Sequence, residues 1–271
     1  ISLHHPIRMA EQMALIDNIS KGRLLVGLGR GTAYNVYDYQ GYGIDPKEAY
    51  ERLLESEDIM IKAWTTENYR HQGKYWDIKL PQLRPRPFTK PHPPIVRACS
   101  GEEAMLGMAK QGRPFLMNIQ TNDTTKQRMD LYRKTMRDSG YDDAHVARCV
   151  DDTWVWRNIF VGETDAEAER IAMPAWNVQQ EFRAAMRKRV YAEQGLMLKE
   201  EKTTPARDQQ QHSILCGSPD TVAEAIADID KIGVGGLILV FRMGPMPYEV
   251  AAHSIKLFMQ KVAPQFQRKA S

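Results

Sequence analysis

The stretch SKGRLLVGLGRGTAYN, residues 20–35, decides the fold class of this chain. Its apolar run RLLVGLG shows no alternation of apolar and polar side chains, which is typical of a strand buried on both faces in a parallel sheet. Gly27, Gly29 and Gly31 allow a tight turn and a close approach of a ligand to the backbone. Arg30 follows the strand directly, at the end where parallel α/β folds bind their ligands. The stretch therefore predicts a parallel α/β protein with an anion-binding arginine at position 30.

The same glycines do not predict a dinucleotide site. The dinucleotide fingerprint is G-x-G-x-x-G, and it opens directly into a helix. Here the spacing is G-x-G-x-G, Thr32 stands where the third glycine belongs, and a tyrosine-rich loop over residues 32–44 follows. The helix start that would hold a pyrophosphate is therefore not expected at this point.

Strand and helix patterns alternate along the rest of the chain. Short apolar runs predict a strand stub at residues 1–3 and five strands, at 23–29, 94–100, 114–119, 153–162 and 236–243. Capping residues and amphipathic patterns predict helices at residues 6–19, 45–64, 101–112, 124–139, 165–192, 218–233 and 247–262. The apolar stripe predicted for the first of these helices consists of Ile7, Met9, Met13, Leu15 and Ile16. Residues 65–93 are predicted to be a proline-rich connection without hairpins, and the polar residues 195–212 a mobile loop. This order predicts a single α/β domain over residues 1–271 with a parallel sheet.

Composition and charge exclude several classes of protein. Lys and Arg total 37 and Asp and Glu total 34, so the net charge is +3, and no basic block indicates a nucleic-acid partner. No apolar run approaches the roughly 18 residues of a membrane helix, and no signal peptide is visible. Cys99, Cys149 and Cys216 are widely spaced and match no metal-site pattern. They predict a reducing, cytoplasmic setting and no bound metal.

Four segments carry motifs in a specific order. HPIRMAEQMALIDNISKGRLLVGLGRG, residues 5–31, combines a histidine–proline helix start with a strand that ends in G-x-x-R-G. LRPRPFTKPHPPIVRACSG, residues 83–101, is a proline-rich approach to a strand, and CGSPDTVAEAI (216–226) and SIKLFMQKVAPQF (254–266) form two helix starts and a tail. Over nearly the whole chain these segments resemble the bacterial luciferase-like flavin monooxygenases. The resemblance implies a (β/α)8 TIM barrel.

The resemblance also implies a cofactor. Members of the family bind reduced FMN from a separate flavin reductase, or in one branch a deazaflavin, and with FMN they use O2 to form a flavin hydroperoxide. By resemblance, Arg30 after Gly29 is a ligand of the flavin phosphate, and Ser100 and Gly101 hold it at a helix start. Free amides at a helix start do attract anions, although the two glutamates that follow Gly101 would repel a phosphate unless they point away. Luciferases themselves carry a reactive cysteine at the position of Gly29, so light emission is not predicted.

The strand TWVWRNIF, residues 153–160, alternates, with Trp154, Trp156 and Asn158 on one face. This face either shapes a substrate pocket or packs in the core. The relatives that oxidise sulfonates resemble this strand but carry an arginine and a histidine at the positions of Trp156 and Asn158. The difference favours an apolar substrate over a sulfonate.

Polar residues elsewhere each allow two interpretations. Asn118 and Gln120 end a strand and either meet the edge of the flavin ring or make a turn. Arg242, at the end of the last strand, either binds an anion or pairs with Glu249. His5 either takes part in acid–base chemistry or caps the following helix, and no catalytic base is assigned. The predicted substrate pocket consists of Asn118, Trp156, Asn158 and Arg242.

A (β/α)8 barrel needs eight strands, whereas five and a stub are predicted. We therefore expect the chain to lack the first two strand–helix units, about 70 to 90 residues at roughly 30 residues per unit. The predicted function is a reduced-flavin-dependent monooxygenase that uses O2 on a small apolar substrate and forms a homodimer, as the family does. The alternatives are a deazaflavin-dependent oxidoreductase and a flavin-binding protein without turnover.

Overall fold

A computed structural model of the chain describes residues 1–31, 35–194 and 214–266. The chain divides into two compact units, Ile1–Ala98 and Cys99–Ser271. The predicted mobile loop, residues 195–212, lies outside the described residues. That the chain is a single domain stays a prediction.

The first unit combines a parallel strand pair with three helices and a hairpin. Its elements are α1 (Pro6–Ser20), β1 (Val26–Leu28), α2 (Val36–Gly41), a 3-10 turn (Pro46–Glu48), α3 (Ala49–Thr65), β2 (Tyr69–Gln72), β3 (Asp77–Leu80) and β4 (Ile95–Cys99), whose last residue opens the second unit. β1 and β4 are parallel, with Val26 opposite Ile95 and Leu28 opposite Arg97. The parallel pairing predicted for the first strand is confirmed.

Local capping signals in the first unit are confirmed, whereas the predicted core face of α1 is wrong. The Nδ1 atom of His5 accepts a hydrogen bond from the amide of Ile7 at 3.3 Å, so His5 caps α1. Leu15 and Ile16, which the sequence pattern placed on the apolar stripe of this helix, are 51% and 44% exposed. Small residues such as Ala10 form the buried face instead, because α3 packs closely there and its Trp64 indole donates to the carbonyl of Ala10 at 2.9 Å.

The proline-rich connection contains a hairpin that the sequence analysis did not predict. β2 and β3 are antiparallel, with Tyr69 opposite Leu80. Glu55 on α3 fixes this hairpin: its carboxylate accepts from His71 Nε2 at 3.0 Å and from the amides of Tyr75 and Trp76, each at 3.1 Å. Two other local predictions are also wrong, since α2 lies in the predicted loop 32–44 and residues 1–3 form no strand.

The second unit contains further strand–helix alternation. Its elements are α4 (Glu102–Lys110), β5 (Phe115–Met117), α5 (Asn122–Asp138), α6 (Asp143–Asp151), β6 (Trp154–Val161), α7 (Asp165–Glu193), β7 (Ile214–Gly217), α8 (Pro219–Asp230), β8 (Gly236–Val240) and α9 (Tyr248–Leu257), followed by a π turn (Phe258–Val262) and a 3-10 turn (Ala263–Gln265). β5, β7 and β8 all pair with β6 in parallel. α6 and β7 were not predicted.

The main apolar core of the second unit lies between its strands and helices. Val155 and Ile159 of β6 pack there with Met105 and Met108 of α4 and with Tyr132 of α5. All three cysteines are free thiols, and none is exposed. Among the described residues we find no helix whose length and hydropathy suit it to span a lipid bilayer.

Candidate functional site

Arg30 stands at the carboxyl end of β1 with its backbone fixed and its side chain available. The carbonyl oxygen of Arg30 accepts a hydrogen bond from the Tyr39 hydroxyl at 2.7 Å, so α2 fixes the position of this residue. The guanidinium is exposed, and within residues 1–31, 35–194 and 214–266 it makes no ion pair or hydrogen bond. A fixed arginine with unused donors is suited to bind an anion such as a phosphate.

Small residues leave one face of the β1–β4 pair open. Gly27 on β1 and Ala98 on β4 are exposed, although the strand at residues 23–29 was predicted to be buried on both faces. A Cβ atom placed on Gly29 would meet the Cβ of Ala98 at 3.8 Å, an ordinary contact. Gly31 is different, because its φ of +84° is a conformation that only glycine adopts readily. This face can therefore admit a flat ligand next to the backbone.

The start of α4 offers free backbone amides in the second unit. Gly101 is the N-cap residue, and no side chain of the described residues bonds to the first amides of the helix. Ser100 is exposed, and no atom lies within 4 Å of a Cβ built on Gly101. An uncapped helix start with open space around it can bind an anion.

The two glutamates in the first turn of α4 oppose such an anion to different degrees. Burial lowers the pKa of Arg128 on α5, and the nearby Glu102 carboxylate opposes that shift, so the charge of Glu102 is partly balanced by Arg128. Glu103 is exposed, and no described residue binds its side chain. Glu103 is the remaining obstacle to a phosphate at this helix start.

β6 presents two chemically different faces, as its alternation predicts. Val155, Arg157 and Ile159 face the helices, where Arg157 Nη2 lies 3.4 Å from Thr125 Oγ1 on α5. Trp154 and Trp156 lie on the opposite face, and the Trp154 ring covers Gly236 of β8. A plain packing role therefore accounts for Trp154.

The four residues predicted to line a substrate pocket all lie in the second unit. Trp156 pairs with Ile238 and Asn158 with Val240, and Asn118 follows β5, whose last residue Met117 pairs with Val155. Arg242 follows β8, and its Nε donates to the carbonyl of Met246 at 3.1 Å rather than pairing with Glu249. Trp156 and Asn158 thus share one face of β6, whereas Asn118 and Arg242 lie beyond the carboxyl ends of β5 and β8.

Buried polar atoms without a hydrogen-bond partner in the described part of the chain include Oε1 of Gln120, beyond the end of β5, and Nε1 of Trp156 on β6. Unpaired buried polar atoms are costly, and they are common where a ligand binds. The flavin ring edge carries both donors and acceptors, so Gln120 fits the predicted contact with it.

Arg157 is a functional candidate that no sequence motif indicated. The residue is 1% exposed, and burial lowers its pKa to about 10. The described residues place no carboxylate within ion-pair distance of it. The sequence signal that could have indicated Arg157 is a single charged residue within an otherwise apolar strand. The burial of Arg157 depends on packing against α5, and a strand pattern alone does not predict that packing. In the described residues no group of three or more His, Cys, Asp or Glu side chains is placed to hold a metal ion.

Comparison with known proteins identifies relatives over most of the chain. The model of the luciferase-like monooxygenase family matches residues 1–235. The alkanal monooxygenase alpha chain of Photobacterium phosphoreum is 26% identical over 271 residues, which cover 96% of this chain and 76% of that protein. The oxygenase component of the flavin-dependent trigonelline monooxygenase of Acinetobacter baylyi is 35% identical over 91 residues, 34% of this chain and 25% of that protein.

Solved structures show the same fold. The oxygenating constituent of 3,6-diketocamphane monooxygenase from Pseudomonas putida, in complex with FMN, has a TM-score of 0.71 at 22% identity and covers 100% of this chain and 78% of its own. An F420-dependent secondary alcohol dehydrogenase in complex with an F420–acetone adduct has a TM-score of 0.71 at 16% identity, and the match covers 98% of this chain and 76% of that chain. The predicted fold class is confirmed. The chain belongs to the luciferase-like monooxygenase family, whose members are oxidoreductases.

Proposed function

We propose that the protein is a monooxygenase that uses reduced FMN and O2 to oxidise a small, largely apolar organic molecule. The family match, the flavin-dependent relative and the FMN-bound structural neighbour support a flavin. The observation that carries the proposal is the exposed guanidinium of Arg30, which no described residue binds and whose backbone the Tyr39 hydroxyl fixes. An arginine in that state is prepared for the phosphate of a cofactor.

The other cofactor contacts follow from the resemblance and are compatible with the local geometry. Gly29 leaves backbone exposed next to Arg30, and in the second unit Ser100 and Gly101 offer a hydroxyl and the free amides of α4. Reduced flavin supplies the electrons that activate O2. The chain's own residues bind and orient the cofactor and the substrate.

The substrate is assigned to the face of β6 that carries Trp156 and Asn158, with Asn118 and Arg242 beyond the carboxyl ends of β5 and β8. Ile238 and Val240 contribute apolar surface to this face. No charged side chain stands on the described strands of this face, since Arg157 turns to the helices. These features favour an uncharged substrate, because an unpaired buried ion is costly.

The test is an anaerobic titration of the protein with reduced FMN and with reduced riboflavin, which lacks the phosphate. We expect Arg30→Ala to weaken FMN binding at least tenfold, about 1.4 kcal/mol or more, and to leave riboflavin binding within about twofold. Arg8→Ala is the matched control, because Arg8 is an exposed arginine on α1 without a partner among the described residues. Equal loss of FMN and riboflavin binding would contradict the phosphate role of Arg30.

The same experiment separates the alternatives. One structural neighbour depends on F420, so a deazaflavin-dependent oxidoreductase is the second candidate. Tight binding of reduced F420 without binding of reduced FMN would favour it. Admitting air to the FMN complex tests the third candidate: rapid oxygen consumption supports an oxygenase, and binding without faster consumption than free flavin indicates a protein that only holds flavin.

The proposal extends to partners and location. One relative is named as an oxygenase component, which supports a separate flavin reductase as the source of reduced FMN. Free cysteines support a cytoplasmic location. A homodimer is supported by the outer face of α1, where Leu15, Ile16 and Ile19 are 51%, 44% and 73% exposed. The test is the molar mass in solution measured by light scattering. We expect wild type to be a dimer and Ile19→Glu to be a monomer.

A further inference from the structure

Trp156 differs from its neighbour Trp154 in one respect that matters for ligand binding. The two indoles lie on the same face of β6. Nε1 of Trp154 donates to the carbonyl of Asp151 at 3.1 Å, so this donor is satisfied. Nε1 of Trp156 is shut off from solvent and has no acceptor anywhere in the described residues. The residue as a whole is only part-buried, so a portion of the ring can meet a ligand.

The surroundings of this donor limit the chemistry of its missing partner. An indole N–H donates only, so the partner must be an acceptor. Ile238 of β8 pairs with Trp156, and β5, which pairs with the start of β6, carries only the apolar residues Phe115–Met117. Arg242 lies beyond the carboxyl end of β8, where its Nε donates to the Met246 carbonyl. No described strand residue beside Trp156 on this face carries a charge, so an anionic acceptor would lose its hydration without a counter-charge on these strands.

We infer that Trp156 Nε1 donates a hydrogen bond to a neutral carbonyl oxygen of the substrate, and that this bond selects carbonyl compounds over hydrocarbons and over carboxylates or sulfonates. That this ligand is the substrate rests on the proposed function. The selection arises because a hydrocarbon leaves the buried N–H unpaired, whereas a carbonyl pairs it. The difference corresponds to about 5- to 150-fold in affinity.

The test compares ligands of equal shape on the full chain, with and without reduced FMN under anaerobic conditions. Cyclohexanone and larger cycloalkanones are paired with their methylidene analogues, in which C=CH2 replaces C=O, and cyclohexanecarboxylate is the anionic probe. Wild type should bind the ketone of a pair about 5- to 150-fold more tightly than its analogue and the carboxylate more weakly than the ketone. Trp156→Phe, which keeps the ring and removes the N–H, should bring the ratio close to one. Trp154→Phe should leave the ratio unchanged.

A second measurement does not depend on turnover. In a 15N-labelled wild-type chain, one of the five tryptophan indole N–H signals should shift downfield as ketone is added. That signal should be missing from the Trp156→Phe spectrum. No preference for any ketone over its analogue, a ratio that survives Trp156→Phe, or a shift of a different indole would overturn the inference. A chain that binds the ketone in this way but no reduced flavin would refute the proposed function and leave Trp156 as part of a ligand site.

Discussion

Replacing Arg157 by methionine should stabilise the protein at neutral pH. Burial lowers the pKa of this arginine well below its ordinary value, to about 10, which corresponds to about 3 kcal/mol of unfavourable desolvation of the charge. The opposing contribution is smaller. Nη1 donates to the Trp156 carbonyl at 2.9 Å, but the approaches of Nη2 to Asn122 and Thr125 are both 3.4 Å, at the outer limit of a hydrogen bond. One good bond of a charged donor is worth about 1.5 to 3 kcal/mol.

The substitution also leaves few hydrogen-bonding groups without a partner. The Thr125 hydroxyl donates to the Thr121 carbonyl at 2.8 Å with or without Arg157, and Asn122 is part-exposed and can bind water. Methionine fills much of the same volume and carries no charge. We therefore expect Arg157→Met to raise the free energy of unfolding at pH 7 by about 1 kcal/mol, as replacement of poorly compensated buried charges often does.

The assay is urea unfolding with linear extrapolation, and Arg97→Met is the matched control. Arg97 Nε lies 3.1 Å from Oε2 of Glu57, whose side chain is 3% exposed. Its removal takes the cation away from that buried carboxylate, so we expect Arg97→Met to cost about 3 to 5 kcal/mol. A loss above about 2 kcal/mol for Arg157→Met would refute the reasoning, because the charge would then be well compensated.

The pH dependence gives an independent check on the same reasoning. The folded-state pKa of Arg157, about 10, lies below its unfolded value, so the unfolded chain binds more protons from pH about 10 up to the ordinary pKa of an arginine. The stability of wild type relative to Arg157→Met should rise over that range, and the advantage of the variant should shrink. A difference that stays constant with pH would show that Arg157 does not titrate in this window.

Two further predictions concern a glycine and the thiols. Gly31→Ala should lower the free energy of unfolding in urea by about 1 to 3 kcal/mol, because φ is +84° and the new Cβ would lie 2.7 Å from Asn35 Oδ1. Gly29→Ala, whose new Cβ has its nearest described contact at 3.8 Å, should change that free energy by less than about 0.5 kcal/mol. Equal costs for the two variants would contradict this prediction. Burial raises the pKa of Cys149 and raises that of Cys216 to about 12, so both thiols stay protonated at pH 8. They should therefore react with DTNB far more slowly in the native chain than in urea. A fast stoichiometric reaction of either native thiol would count against their burial.

Features set by a few neighbouring residues were predictable from the sequence. His5 before Pro6 caps α1, and the Asp45 carboxylate accepts from the amide of Lys47 at 2.9 Å, because a cap needs only residues within one turn. Five of the parallel strands followed from their apolar runs, whereas β7 did not. The position of Arg30 after β1 also followed from local pattern.

Features that depend on distant partners were not predictable in this way. The buried face of α1 is set by the close approach of α3 at Ala10, so Leu15 and Ile16 remain exposed in spite of their hydrophobicity. The hairpin depends on Glu55, which lies on another element and supplies acceptors for its turn. The unpaired indole N–H of Trp156 is a property of its surroundings, which alternation along β6 does not reveal.

The open space above Gly29 has a consequence for how this position can change over time. Among the described residues, a Cβ placed there contacts only the Ala98 Cβ, at 3.8 Å, and it requires no unusual φ angle, so the described structure constrains the residue at this position little. With the cofactor bound as proposed, selection at position 29 would act mainly through that molecule. Substitutions there would then alter reactivity or ligand size without first being compensated elsewhere, so new chemistry could arise at this position in a single step.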